Sequence, residues 1–277
     1  MYTIPKKLLS PGATNAKTAK NTYKTFILYL APHKQNSKGV NICPQASKGC
    51  AAACLFTAGR GKFSNVQSAR INKTEYYLND KERFILQLAG ELTKINAQAA
   101  KKNETVLIRL NGTSDLDFIA LLKKYAQVDA LEFSNLIFYD YTKILGKVKK
   151  YLGSDKYILT YSRAENNEAQ ALEALSLGAN VSAVFNGPLP NYYKGFKVVD
   201  GDTSDNVMIE NRGVILGLRA KGDAKKDTSG FVIHSKENKT AQFLEVDAYQ
   251  KAGRSVDDLS AAEYTALKNE RFLNQLK

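Results

Sequence analysis

The sequence predicts an α/β protein built on a partial or complete (β/α) barrel-like parallel sheet, with a C-terminal helical extension. Three observations point there. Short β-rich runs alternate with amphipathic stretches of about ten or more residues, which is the pattern of βαβ units. Polar residues gather just after those runs, where a parallel fold builds its site. No G-x-G-x-x-G turn follows the first run, so a dinucleotide-binding open sheet ranks below the barrel. The barrel-like domain is expected over 1–245 and the extension over 246–277.

Strands are expected at Thr25–Leu30, Thr105–Leu110, Leu136–Tyr139, Tyr157–Tyr161, Asn180–Phe185, Phe196–Val199, Val214–Leu218 and Phe231–His234, all rich in β-branched and aromatic residues. The longest helical stretch runs over 66–102, where Ile71, Tyr77, Leu78, Phe84, Ile85, Leu88 and Leu92 recur at helical spacing. Leu116–Ala126 follows, with Asp115 and Asp117 at the positive end of its dipole. Asn167–Leu177 stops at Gly178, a residue suited to a helix C-terminus. The tail Ser260–Leu276 opens with SAAE, a capping-box pattern.

Charge is distributed unevenly. The chain carries 40 Lys and Arg against 27 Asp and Glu, a formal charge of +13. From Met1 through Thr74 there are 12 basic residues and no acidic one, while the remaining 203 residues are nearly balanced. All three cysteines lie in that acid-free quarter. The composition is that of a globular chain, with 44% hydrophobic and 24% charged residues. The apolar run Phe26–Ala31 is far shorter than the roughly 20 residues of a membrane helix, so no membrane role is expected. No secretory signal pattern opens the sequence. Three clustered cysteines in a chain this long do not make a disulfide framework, and a reducing cytoplasm is the expected location.

The cysteines form C-x6-C-x3-C: Cys43, Cys50 and Cys54. If GCAAACLF turns into helix, Cys50 and Cys54 share a face, and Cys43 closes the set across a turn. Soft thiolates select zinc, copper(I) or iron–sulfur clusters. A 4Fe-4S cluster on three cysteines leaves one iron open. A zinc site would need a fourth ligand such as His33, His234 or a carboxylate. Three buried small hydrophobes with no metal is the third alternative. Lys48, Arg60, Lys62, Arg70 and Lys73 lie around the motif as a basic surface. They would stabilise an anionic cluster, hold an anionic small molecule, or contact the phosphates of a nucleic acid.

The strand ends supply candidates for a pocket: Arg109, Asn111 and Asp115 after the second expected strand, Asp140 after the third, Arg163, Asn186 and Arg219 after later ones. Arg and Asn would position an anionic substrate or cofactor, with Asp115 and Asp140 accepting hydrogen bonds from it. Asp200, Asp202 and Asp205 in VVDGDTSD are oxygen donors for a divalent cation, or else partners of arginine and turn caps. The two histidines make no catalytic constellation, and no Walker loop or H-E-x-x-H is present.

The segments CPQASKGCAAACLFTAGRGKFSNVQSARINKT, LNGTSD, FYDYTK, VVDGDTSD and GVILGLRAKGDAKKDTSGFVIH resemble the bacteriophage gene product 88 family over roughly residues 20–235. The resemblance implies a phage-encoded protein working in the cytoplasm of an infected bacterium, and implies no particular activity. More distantly, three cysteines after the first strand of a partial barrel resemble the radical S-adenosylmethionine enzymes, in which a 4Fe-4S cluster chelates the cofactor. The spacing there is C-x3-C-x2-C, and the cofactor's glycine-rich motif corresponds at best to Asn111–Asp115. Two expectations follow. One is a cluster-dependent enzyme of radical type acting on an anionic substrate, with S-adenosylmethionine as a cofactor that the resemblance implies. The other is a non-catalytic phage protein in which iron–sulfur or zinc staples a nucleic-acid-binding surface.

Overall fold

The computed structural model describes residues 2–234, apart from Ala16, Leu55, Thr57 and Ala58. The expected extension over 246–277, with its helix at Ser260–Leu276, lies outside the described residues. Ten strands are present among them: β1 (Leu9–Pro11), β2 (Lys24–Leu28), β3 (Val106–Arg109), β4 (Leu136–Thr142), β5 (Tyr157–Ser162), β6 (Asn180–Asn186), β7 (Tyr192–Tyr193), β8 (Phe196–Asp200), β9 (Ile215–Arg219) and β10 (Val232–His234). They form one sheet in the order β1-β2-β3-β4-β5-β6-β9-β8-β7, with β10 beside the end of β6. Only β1 on β2 and β7 on β8 run antiparallel. The central strands therefore end along one edge. Their sequences are apolar on both faces, as parallel strands covered on both sides must be; every residue of β5 but its last is buried.

Seven α-helices are described: α1 (Lys48–Ala52), α2 (Ser64–Asn79), α3 (Lys81–Lys101), α4 (Phe118–Ala126), α5 (Leu145–Tyr151), α6 (Glu168–Ser176) and α7 (Asn206–Glu210). The stretch expected as one helix over 66–102 is two. Asp80, at φ −144°, leaves the helical region, and its carboxylate accepts from the Arg83 amide to cap α3. An aspartate that satisfies a free amide makes such a break cheap. The break also brings Tyr76 and Tyr77 of α2 against Phe84 of α3, with ring centroids 5.3 and 5.4 Å apart in edge-on contact.

Strand alternation sorts the two faces of the sheet. Ile108, Phe138, Leu159 and Val181 point to the large core that α2–α6 cover. Leu107, Tyr139, Ile158 and Leu216 point the other way, onto Met208 of α7. The α7 connection also reaches the chain just before β2. The Asp205 amide donates to Asn21 Oδ1 at 2.8 Å, and Asn206 Nδ2 donates to Thr22 Oγ1 at 2.9 Å. Yet β2 and β8 lie near opposite ends of the strand path. The inner face is thus spanned at its base by α7 and the segment before β2. At the β1 edge, the Leu8 and Leu9 amides donate to the two oxygens of Glu91 on α3.

Candidate functional site

The cysteine segment lies over the C-terminal ends of β2 to β5. Ser47 caps α1 by accepting from the Cys50 amide at 3.1 Å, and donates its own hydroxyl to Glu165 at 2.7 Å. The other Glu165 oxygen accepts from the Gly49 amide at 2.8 Å. Glu165 follows β5, so one carboxylate clamps the start of α1 to the sheet edge. The Asp115 amide donates to Ile42 O, and Cys43 Sγ lies 3.7 Å from the carbonyl oxygen of Thr113. Burial of Glu165 opposes its charge, but the Ser47 and Gly49 donors outweigh that and hold it below the ordinary glutamate range. A depressed value means the clamp contributes fully above the unfolded glutamate's pKa and is lost as pH falls through the folded one. Hydrogen exchange should show the Gly49 and Cys50 amides losing protection across that acid range, and Glu165→Gln should remove the pH dependence. Protection that stays flat through the titration in the native chain would contradict the clamp.

All three cysteines are half-buried thiols, none disulfide-bonded. Burial pushes Cys43 up to about 12, against the His33 amide that lowers it; the neighbouring Cys54, Cys50 and Asp115 push it further. Cys54 is raised by burial and by Cys50, and lowered by the Phe56 amide, Arg70 and Lys143. The three sulfurs thus lie within electrostatic reach of one another, beside two cations. Among the described residues no three His, Cys, Asp or Glu side chains converge on a point as a single bound ion requires. Of the two histidines, His234 is engaged, with Asn186 at Nδ1 and Asp227 O at Nε2. His33 adopts a left-handed backbone, φ 54°, and its Nε2 is buried with no hydrogen-bond partner among the described residues.

The strand-end candidates separate into two groups. Asn111, Asp115 and Asp140 lie on the helix-facing side and hold the β3–α4 and β4–α5 turns. Asp140 is fully buried; it accepts from the Asn111 amide, from Asn111 Nδ2 and from Tyr157 OH at 2.7–3.0 Å. Asp115 accepts from Thr142 Oγ1, the Lys143 amide and Lys147 Nζ. Asn111 Oδ1 accepts from Ser114 and from the Leu116 amide. Arg163 is engaged by Glu168 and the carbonyls of Gly230 and Phe231, Asn186 by His234, and Arg219 by Asp200 and Asp202. Asp200 pairs with Arg219, Asp202 with Lys221 and with Arg219, and Asp205 with Lys17.

Arg109 lies on the inner face at the open edge, on the same side of β3 as Leu107. It stands over the Tyr141 ring at 4.9 Å, and its Nε has no hydrogen-bond partner among the described residues. Its side chain is half-buried, with part of its surface accessible. Burial alone would lower its pKa, but Asp205, Tyr139, Tyr141 and Tyr29 outweigh burial and raise it. Lys17 sits beside it, 2.7 Å from Asp205 and 3.1 Å from Tyr141 OH. Arg70 of α2 lies over Tyr29 at 4.6 Å and over Phe56 at 5.8 Å, with Nε and Nη1 buried and unpartnered among the described residues. Gly112 makes room for that wall, since a Cβ there would stand 2.5 Å from the Tyr29 ring.

The basic surface is also divided by the fold. Lys48, Arg60 and Lys62 are exposed, next to an exposed Phe63. Arg70 and Lys73 turn inward; Lys73 Nζ donates to Leu8 O at 2.6 Å. Lys17, Tyr29, Tyr141 and Asp205 were not among the sequence candidates as a set. Their partners lie more than one hundred residues apart in the Lys17–Tyr141 and Lys17–Asp205 pairs, and no local pattern joins them.

Fold and site together define a mixed α/β protein whose mostly parallel sheet carries a three-cysteine segment and the cations Lys17, Arg70 and Arg109 at its C-terminal edge. The chain belongs to the phage gene product 88 family, whose family model matches residues 7–235. No curated protein and no solved structure matches it.

Proposed function

We propose that the protein is a phage-encoded iron–sulfur protein with a 4Fe-4S cluster on Cys43, Cys50 and Cys54, acting on an anionic substrate beside it. The observation that carries this reading is the placement of three half-buried thiols, in mutual electrostatic reach, at the open edge of a parallel sheet. The donor set fits the group. Each thiolate would carry its own iron, so the sulfurs need not share one coordination sphere. Arg70 and Lys143 offset the negative charge of such a cluster. When bound, a cluster with an open iron supplies one-electron chemistry and a place for a cofactor such as S-adenosylmethionine.

This chain's own residues do the remaining work. Glu165 and Ser47 fix the helix that bears Cys50. Tyr29, Arg109 and Tyr141 line the adjoining cleft, and α7 closes its base. The contacts of Asp205 and Asn206 with Asn21 and Thr22 support a partial-barrel curl of the sheet around that cleft. The place of action we infer is the cytoplasm of an infected bacterial host.

The test is anaerobic purification or reconstitution with iron and sulfide analysis. The native chain should be brown with broad visible absorption, and Cys50→Ser should lose the colour while keeping its circular dichroism. A colourless, cluster-free native chain would refute the proposal. Exposed Phe63 beside Arg60 and Lys62 favours one second reading, a metal-stapled nucleic-acid-binding protein with iron–sulfur or zinc. In that case affinity for single-stranded DNA should fall steeply with salt and drop in Arg60→Gln/Lys62→Gln.

A further inference from the structure

The cleft beside the cysteines has a composition the cluster alone does not explain. Tyr29, just past β2, and Arg109 and Tyr141, at the ends of β3 and β4, lie on the inner face, and all three remain partly accessible. Deeper residues on the same face of β3 and β4, Leu107 and Tyr139, are fully buried. The inner face is therefore closed at its base and open at its mouth. The mouth holds three cations: Lys17, Arg70 and Arg109. The carboxylate placed among them is Asp205, which Lys17 contacts directly and Arg109 feels. A surplus of positive charge in an enclosed site costs free energy unless an anion neutralises it. The guanidinium groups are also short of acceptors. Arg109 Nε, and Nε and Nη1 of Arg70, have none among the described residues. Arg109 Cζ lies 4.9 Å from the Tyr141 ring centre and Arg70 Cζ 4.6 Å from that of Tyr29, cation–π contacts that do not use the N–H groups.

We propose that the oxyanion group, phosphate or carboxylate, of a small molecule binds on Arg109 beside Tyr29 and Tyr141, with Arg70 over Tyr29 adding to the positive field. A guanidinium fork suits a planar or tetrahedral oxyanion better than a halide. The site rests on the proposed function only in that its ligand would lie beside the cysteines; the side chains that form it belong to β2, β3, β4 and α2. Lys17 is held by Asp205 and Tyr141, so it serves to offset Asp205 and leaves Arg109 available.

The test is calorimetric titration of the full cluster-free chain with inorganic phosphate and, separately, with succinate. Saturable binding of either anion supports the site, and which one binds identifies the group. Arg109→Gln should weaken binding roughly 10- to 100-fold, as loss of a charge-assisted contact does. Arg219→Gln, on the outer rim with Asp200, should leave it unchanged. Asp205→Asn removes the competing carboxylate and should tighten binding several-fold, a gain that a damaged fold cannot produce. No saturable binding of either anion to the native chain would overturn the proposal, as would equal affinities in Arg109→Gln and Arg219→Gln. A chain that stays colourless on reconstitution yet binds the anion refutes the cluster and keeps the site; one that turns brown on reconstitution but binds neither anion when cluster-free does the reverse.

Discussion

Asp140→Ala is expected to lower the unfolding free energy by about 3–5 kcal/mol, because it strands three donors in a dry site. The Asn111 amide, Asn111 Nδ2 and Tyr157 OH all point at that carboxylate, which has no exposed surface. An orphaned buried donor costs about 1–3 kcal/mol, and the three do not add fully because Asn111 supplies two of them. For a chain of this size the loss corresponds to a melting temperature lower by about 10 °C. Asp140→Asn keeps the shape and the acceptor for the Asn111 amide, but sets its amide group against Asn111 Nδ2. It should fall between the native chain and the alanine variant. Thermal unfolding followed by circular dichroism decides the matter: an alanine variant within about 1 kcal/mol of the native chain would mean the network is not a structural clamp.

Gly49→Ala is expected to lift the cysteine helix from the sheet. A Cβ at Gly49 would stand 2.2 Å from Ser229 Oγ, 2.7 Å from Phe231 Cβ and 2.9 Å from Glu165 Oε2. The serine hydroxyl can rotate away. Phe231 Cβ moves only with its backbone, and Glu165 is held by Ser47 and Gly49 themselves. Overpacking of this kind costs about 1–3 kcal/mol. Falling on the docking of α1, that cost raises the undocked population roughly 5- to 150-fold. Cys43 and Cys54 are protonated and shielded in the docked form, so their reaction with an aromatic disulfide reagent should speed up in proportion. Unchanged thiol rates together with an unchanged melting temperature would show that α1 tolerates the methyl group.

Much of the architecture was legible because parallel strands are short, apolar and punctuated. All eight expected strands are present, shifted by only a residue or a few at their ends. The two that were missed, β1 and β7, are three and two residues long, too short to show a period. α5 and α7 escaped for the same reason. The single long helix became two because Asp80 reads equally well as a helix surface residue and as a cap; only Tyr76 and Tyr77 meeting Phe84 settles it.

The site was harder to read. The cysteine segment declares itself by spacing. The strand-end residues do not, because a polar side chain after a buried strand can face a cleft or clamp a turn. Parity ties Asp140 to Phe138 and Tyr141 to Tyr139, but which pair faces inward depends on where α7 packs. That placement comes from Asn21 and Thr22, some 184 residues earlier in the chain. The charge asymmetry says less about which side chains face solvent. Of the five cations named around the cysteines, Arg70 and Lys73 are half-buried, while Lys48, Arg60 and Lys62 are exposed.

The Glu91 contacts at the first strand bear on how copies of this chain can meet. An outermost strand normally offers a row of amides on which a foreign strand can assemble, the usual start of fibres and exchanged dimers. Here the Leu8 and Leu9 amides already donate to a carboxylate on α3, and the strand is short and ends in proline. The opposite border is a two-residue strand. Among the described residues, neither the β1 nor the β7 border offers a long row of backbone donors, so a high concentration of newly made chains should not polymerise through those two borders.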